Sequence, residues 1–185
     1  NISDWQYLDD LLALGGARFM DAAAAKPYGF DSPPEDRTVS ENALNFSRII
    51  GLREILETHH AGQMPLWASN WGWNALQGDW QGAESIWGQV SPQQQVEYTL
   101  AALDRVEREW PWLSSMILYH WQPDAPPDDP VWGFALINQN GQPGALYNAL
   151  TQRPSPVSAQ NGLYFAANPF AGYSGVWSFS PLGAD

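Results

Sequence analysis

Residues 65–73 read Pro65-Leu66-Trp67-Ala68-Ser69-Asn70-Trp71-Gly72-Trp73. Met64 to Ser69 is a short apolar run of the length of a buried strand, and it breaks at Asn70 into an aromatic, glycine-rich loop that runs to Gln89.

The segments on either side are helical. Upstream, Asn45 to His60 carries Phe46, Ile49, Ile50, Leu52, Ile55 and Leu56 at helical spacing and stops at Gly62. Downstream, Ser91-Pro92-Gln93-Gln94 opens a helix with a cap, a proline at the first helical position and a closing glutamine. That helix runs to about Trp110 with Val96, Leu100, Leu103 and Val106 on one face, and Arg105 and Arg108 near its end suit the helix dipole. Leu113 to Trp121 is the next strand, followed by a proline- and aspartate-rich loop to Pro130. Gly133 to Ile137 is a short extended piece, and Ala145 to Leu150 a short helix. Towards the amino end, Asp4 to Leu14 is a helix closed by Gly15-Gly16. Ala17 to Lys26, between glycine and proline, is expected as a buried strand despite its alanines. Strands alternating with helices predict βαβ units and a parallel sheet.

From Gln152 the character changes. Residues 152–160 read as a linker and 161–185 as the start of a β-rich domain, leaving 1–151 as the α/β part. The chain opens at Asn1-Ile2-Ser3 without a methionine, so further residues are expected before it.

Composition narrows the functions. Of 185 residues 44% are hydrophobic and 15% charged, which is globular rather than disordered. Twenty carboxylates against eight Lys and Arg give a net charge of −12, which repels nucleic-acid phosphates and anionic lipid and excludes nucleic acid as a partner. There is no cysteine, hence no disulfide, thiolate metal site or Cys nucleophile. No metal-ligand spacing and no Gly-rich cofactor motif occurs, so neither a metal nor a cofactor is expected. Eleven tryptophans suit flat contacts such as sugar-ring stacking, or the filling of a core.

The 65–73 stretch resembles strand seven of clan A glycoside hydrolases, the β-xylosidase and cellulase-like barrels. Their pattern there is Pro-apolar-Trp-x-Thr-Glu-x-Gly-Trp, and the Glu is the nucleophile. Phe19-Met20-Asp21 to Lys26-Pro27-Tyr28-Gly29 resembles strand six, which usually ends His-Pro-Tyr-Gly. Arg48 to Leu56 resembles helix six, and Gln95 to Trp121, with Trp110-Pro111-Trp112, helix seven and strand eight. Trp132-Gly133-Phe134 and Gly141-Gln142-Pro143 resemble the closing turn before the last helix. The resemblance covers roughly residues 4 to 150 and implies the C-terminal half of a (β/α)8 TIM barrel, with strands one to five and the acid/base Glu outside this chain.

Two positions depart from that pattern. Asn70 stands at the nucleophile position, and Lys26 replaces the histidine after strand six. Retaining hydrolysis needs two carboxyl groups about 5 Å apart. A neutral amide neither attacks an anomeric carbon nor stabilises the developing cation. The resemblance therefore implies a catalytically inactive domain, acting as an accessory, scaffold or carbohydrate-binding part of a larger extracytoplasmic protein or membrane-associated complex. Its partners are an oligo- or polysaccharide and the remainder of its own chain or other subunits. The alternative is an active retaining β-glycosidase whose acid/base lies in the missing half. Lys26, Tyr28, Trp71, Trp73, His120, Trp121 and Trp132 are the expected sugar-binding residues, with Trp80 and Trp87 also on the open face. The same rings, alternatively, fill a collapsed cleft, and His120 is a buried, hydrogen-bonded core histidine. The loop carboxylates Asp31, Glu35, Asp36, Asp79, Glu84, Asp124, Asp128 and Asp129 read as solvated or capping groups, and His59 and His60 as answering a helix dipole.

Overall fold

A computed structural model describes residues 2–153 and, beyond them, the two strands 163–166 and 176–179. The order is α1 (Asp4–Ala13), β1 (Ala23–Ala25), α2 (Ile49–Thr58), β2 (Leu66–Trp71), α3 (Pro92–Glu109), β3 (Leu113–Leu118), α4 (Ala145–Gln152), β4 (Leu163–Ala166) and β5 (Val176–Phe179). Short 3₁₀ turns stand at Gly16–Phe19, Phe46–Arg48 and Pro130–Phe134. The sheet runs β1-β2-β3-β4-β5, and β1 to β4 pair in parallel. α2 and α3 each connect a strand to its parallel neighbour, as the alternating pattern predicts.

The helices begin where local chemistry starts them. The Ser3 hydroxyl accepts from the Gln6 amide and caps α1. Ser91 and Gln94 close a capping box on α3, satisfying two backbone donors that the first turn leaves open. Their apolar stripes then pack on one face of the sheet. Ile49, Leu52 and Leu56 of α2 and Ala102, Leu103 and Val106 of α3 join Leu66, Ala68, Leu113, Met116 and Leu118 in a single core.

The opposite face of the sheet is thinly covered. Ala24, Trp67 and Ser115 form one row across β1, β2 and β3. Ala24 is exposed, Ser115 is half-buried and Trp67 is 41% exposed. Tyr7 and Leu14 of α1 and Phe19 after it are exposed too. A parallel sheet normally buries both faces; here one of them stays largely uncovered among the described residues. The outer edge of β1 has no partner among the described strands, whereas β3's outer edge is taken by β4.

Several boundaries differ from expectation. The Ala17–Lys26 strand shrinks to Ala23–Ala25, because Gly16–Phe19 coils into a 3₁₀ turn and only three residues reach register with β2. β2 extends to Trp71, carried by its pairing with Leu118. The extended piece at Gly133–Ile137 starts inside the 3₁₀ turn, which takes Gly133 and Phe134. Asp129 caps that turn through the Val131 amide at 2.8 Å, and only Ile137 bridges, to Pro143. Arg105 is buried and directed into the 34–47 loop, not left free to meet the dipole. His59 Nε2 lies 2.7 Å from an Asp9 carboxylate oxygen. The 152–160 linker lies largely outside the described residues. In the 161–185 segment β4 pairs with β3 and β5 pairs antiparallel with β4, so both strands belong to the same sheet.

Candidate functional site

The carboxyl ends of β1, β2 and β3 lie side by side and carry Tyr28, Asn70 and Tyr119. The pairing of β1 with β2 continues past the strand ends as a bridge between Tyr28 and Gly72, and the Gly29 amide donates to the Gly72 carbonyl at 3.0 Å. On the other side the Tyr119 amide donates to the Trp71 carbonyl at 3.0 Å.

β2 reaches this point through an irregularity. Ala68 pairs with Met116 but Trp71 pairs with Leu118, so β2 holds one extra residue over Ser69-Asn70. Such a bulge re-aims side chains and is common beside active sites. Ser69 and Asn70 are both half-buried. The Ser69 hydroxyl donates to the Ala25 carbonyl at 3.0 Å, and the Asn70 side chain interacts with the Tyr28 hydroxyl. The bulge thus turns residue 70 towards β1 and out of the core.

Around these tips stands a group of rings. Tyr28 lies 5.9 Å from Tyr119, 5.5 Å from Phe134 and 6.1 Å from Trp87. Burial first, and Tyr119 beside it second, push the Tyr28 hydroxyl up to about 12, with Asn70 opposing the rise. Tyr119 is also raised, by burial first and by Asp129 second. Both phenols therefore stay protonated at neutral pH and can donate hydrogen bonds.

Trp87 is brought in by the loop after β2. Asp31 anchors that loop by accepting from the Gln89 amide at 2.7 Å. Gly88 sits against the same carboxylate with a φ of +70°, where a side chain would strike it. The other loop carboxylates with visible contacts are also backbone tethers. Asp36 accepts from Asn45 and from the Thr38 amide, which hold it at about 2. Asp129 caps the turn after β3.

The expected sugar-binding residues do not all gather here. Tyr28 stands at the centre, and Lys26, exposed, lies just before it. Trp71 and Trp73 do not face the open cleft. They are 0% and 1% exposed, packed with Phe46 at 5.7 and 5.6 Å, and are core residues. Gly29 lies so close under the Trp73 indole that a methyl group there would overlap it. Trp121 lies against Tyr147 of α4 at 5.8 Å, while Tyr119, which the sequence reading passed over, takes the place beside Tyr28. A signal for Tyr119 was present, as it directly follows the last residue of β3. Trp132 is tied into the loop after β3, donating Nε1–H to the Pro126 carbonyl at 2.9 Å. Trp80 likewise donates within its own loop, to the Ala83 carbonyl.

His120 is 7% exposed, its ring 4.6 Å from Tyr119, and its Nδ1 has no partner among the described residues. Burial lowers it to about 4 from an ordinary 6.5. Between those values the unfolded chain binds a proton that the folded chain refuses, so stability falls as pH drops from 6.5 towards 4. Replacing His120 with Gln should flatten that part of a plot of urea midpoint against pH. An unchanged slope would show that the imidazole is not held neutral.

Among the described residues no cluster of His, Asp and Glu is arranged to hold a metal ion, and no helix is long and apolar enough to cross a membrane.

No protein-family model matches the sequence, and no curated protein matches it. Solved structures do. A family 39 glycoside hydrolase from the gut symbiont Bacteroides cellulosilyticus WH2 superposes with a TM-score of 0.55 at 18% identity, over 84% of this chain and 30% of that one. The fold is shared with a glycoside hydrolase. Beta-glucuronidases from Faecalibacterium prausnitzii and Bifidobacterium dentium align over 74% of this chain, with a TM-score of 0.47 each at 18% and 16% identity. They cover 22% and 21% of those chains. The chain thus spans less than a third of each of these proteins. Its mixed α/β fold with a small parallel sheet corresponds to part of a glycoside hydrolase barrel.

Proposed function

We propose that this chain is the C-terminal part of a glycosidase-like (β/α)8 domain that holds a carbohydrate at its strand tips without hydrolysing it. It serves there as an accessory or scaffold portion of a larger extracytoplasmic protein or membrane-associated complex. The observation that carries this reading is Asn70 in the β2 bulge, turned towards the Tyr28 hydroxyl at the mouth of the sheet. A strand-tip residue in that position meets the ligand, and here it offers an uncharged amide. The amide gives hydrogen bonds to sugar hydroxyls, but it supplies neither the attacking oxygen nor the negative charge that glycosyl transfer requires. Removal of such a group typically lowers the rate by several orders of magnitude. Asp31, Asp36 and Asp129, the nearby carboxylates with visible partners, are occupied in holding loops.

A working retaining β-glycosidase is the competing reading, favoured by the Tyr28 hydroxyl standing against residue 70 as an orienting group would. Incubation of the full-length protein with a panel of 4-nitrophenyl β-glycosides separates the two. We expect release no faster than in buffer. Turnover that disappears on changing Asp79 or Asp124 to Asn would overturn the non-catalytic reading.

A further inference from the structure

Beside Tyr28 opens a cavity of about 380 Å³, walled by the β1 tip, the start of α1 and the 40–48 segment. We infer that it receives a sugar ring bearing a carboxylate, a uronic acid, with that carboxylate against Lys26. This rests on reading the strand tips as a carbohydrate cleft.

The charges of the wall support it. Arg48 is fully engaged: Nη2 and Nε donate to Asp4 at 2.5 and 3.2 Å, and Nη1 donates to the carbonyls of Ser40, Glu41 and Ala43. Its charge is balanced by Asp4, and nothing of it is left for a ligand. Lys26 is the only lysine of the chain, lines the cavity and is exposed, with no hydrogen bond or ion pair to the described residues. In a protein of net charge −12 it is an isolated positive point at the cleft. The second observation is Asn45, also in the wall and 2% exposed. Its Nδ2 donates to Asp36 and to the Thr38 carbonyl, while its Oδ1 has no donor among the described residues. A buried acceptor left unmatched is costly, and a ring hydroxyl is a suitable donor. Glu41, which accepts from the Ser3 hydroxyl, adds a further acceptor. A cation for a carboxylate, acceptors for hydroxyls, and Phe30 and Tyr28 for a ring face match a uronic acid better than a neutral hexose.

The single lysine makes the test direct. Reductive methylation of the full chain with ¹³C-formaldehyde gives one side-chain ammonium signal and keeps its charge. Methyl β-glucuronide and methyl β-glucoside differ only in carboxylate against hydroxymethyl. We expect the glucuronide to move the Lys26 signal saturably and to bind about tenfold more tightly than the glucoside. Lys26→Met should erase that preference. Equal binding of both sugars, or a preference that survives Lys26→Met, overturns the inference and leaves the carbohydrate cleft standing. If neither sugar changes the tryptophan fluorescence at millimolar concentration, the cleft reading itself fails, and this inference with it.

Discussion

Replacing Phe46 with Ala should cost about 3–5 kcal/mol of stability, the range for truncating a large buried aromatic. Phe46 is buried where the 3₁₀ turn leads into α2. Its ring stacks on Trp110 at 5.1 Å and meets Trp71 and Trp73, and Trp110 stacks in turn on Trp112 at 5.5 Å. One side chain thus joins the end of β2, Trp73 two residues beyond it, the start of α2 and the end of α3. Removing it leaves a cavity between rigid rings that cannot close on it, which places the cost towards the upper end. In a protein of this size the melting temperature should fall by about 10 °C or more. Phe46→Leu, which keeps most of the apolar volume, should lose clearly less. A loss below about 1 kcal/mol in Phe46→Ala, by urea unfolding, would mean that the rings do not form the core.

Arg105→Met should be nearly as damaging, by about 3 kcal/mol, although it exchanges a charge for an apolar chain of similar length. Arg105 is buried in α3. Its Nη1 donates to the Pro34 carbonyl, to the Ser47 hydroxyl at 2.7 Å and to the Asp36 carbonyl at 3.4 Å, while Nε faces Glu109 at 3.2 Å. The guanidinium also lies 4.8 Å from the Trp110 ring. Methionine keeps the packing but strips the Pro34 carbonyl of its donor where water does not easily replace it. Glu109 keeps Arg37, at 2.6 Å, so little of the effect comes from that carboxylate. Arg105→Lys should rescue only part of the loss, since one ammonium does not reproduce a planar fork. Equal stability of Arg105→Met and the wild type in urea would show that the loop does not depend on this anchor.

The helices were legible because their signals are local. The period of α2 and the Ser91-Pro92 start of α3 need nothing beyond a few neighbouring residues, and both appear where the spacing puts them. β1 was overdrawn because an alanine run has no strong strand preference, and its length is set by register with β2. The tryptophans were mis-sorted for a related reason. Alternation along a strand decides which way a ring points, and the extra residue at Ser69-Asn70 breaks that alternation just before Trp71. The resemblance to strand eight points to Trp121, whereas position relative to the strand end decides which ring reaches Tyr28, and that ring is Tyr119. Arg105 looked like any cation in a last helical turn, and only the fold of the 34–47 loop around it reveals its partners.

The bulge at Ser69-Asn70 has a consequence for how such a domain changes over time. The rings that hold the molecule together are packed beside residue 70, and residue 70 itself leans outward to a phenol. Chemistry and cohesion are therefore assigned to neighbouring residues that point different ways. An exchange at the outward one disturbs less packing than one at Trp71, so drift can retune that position while the scaffold persists.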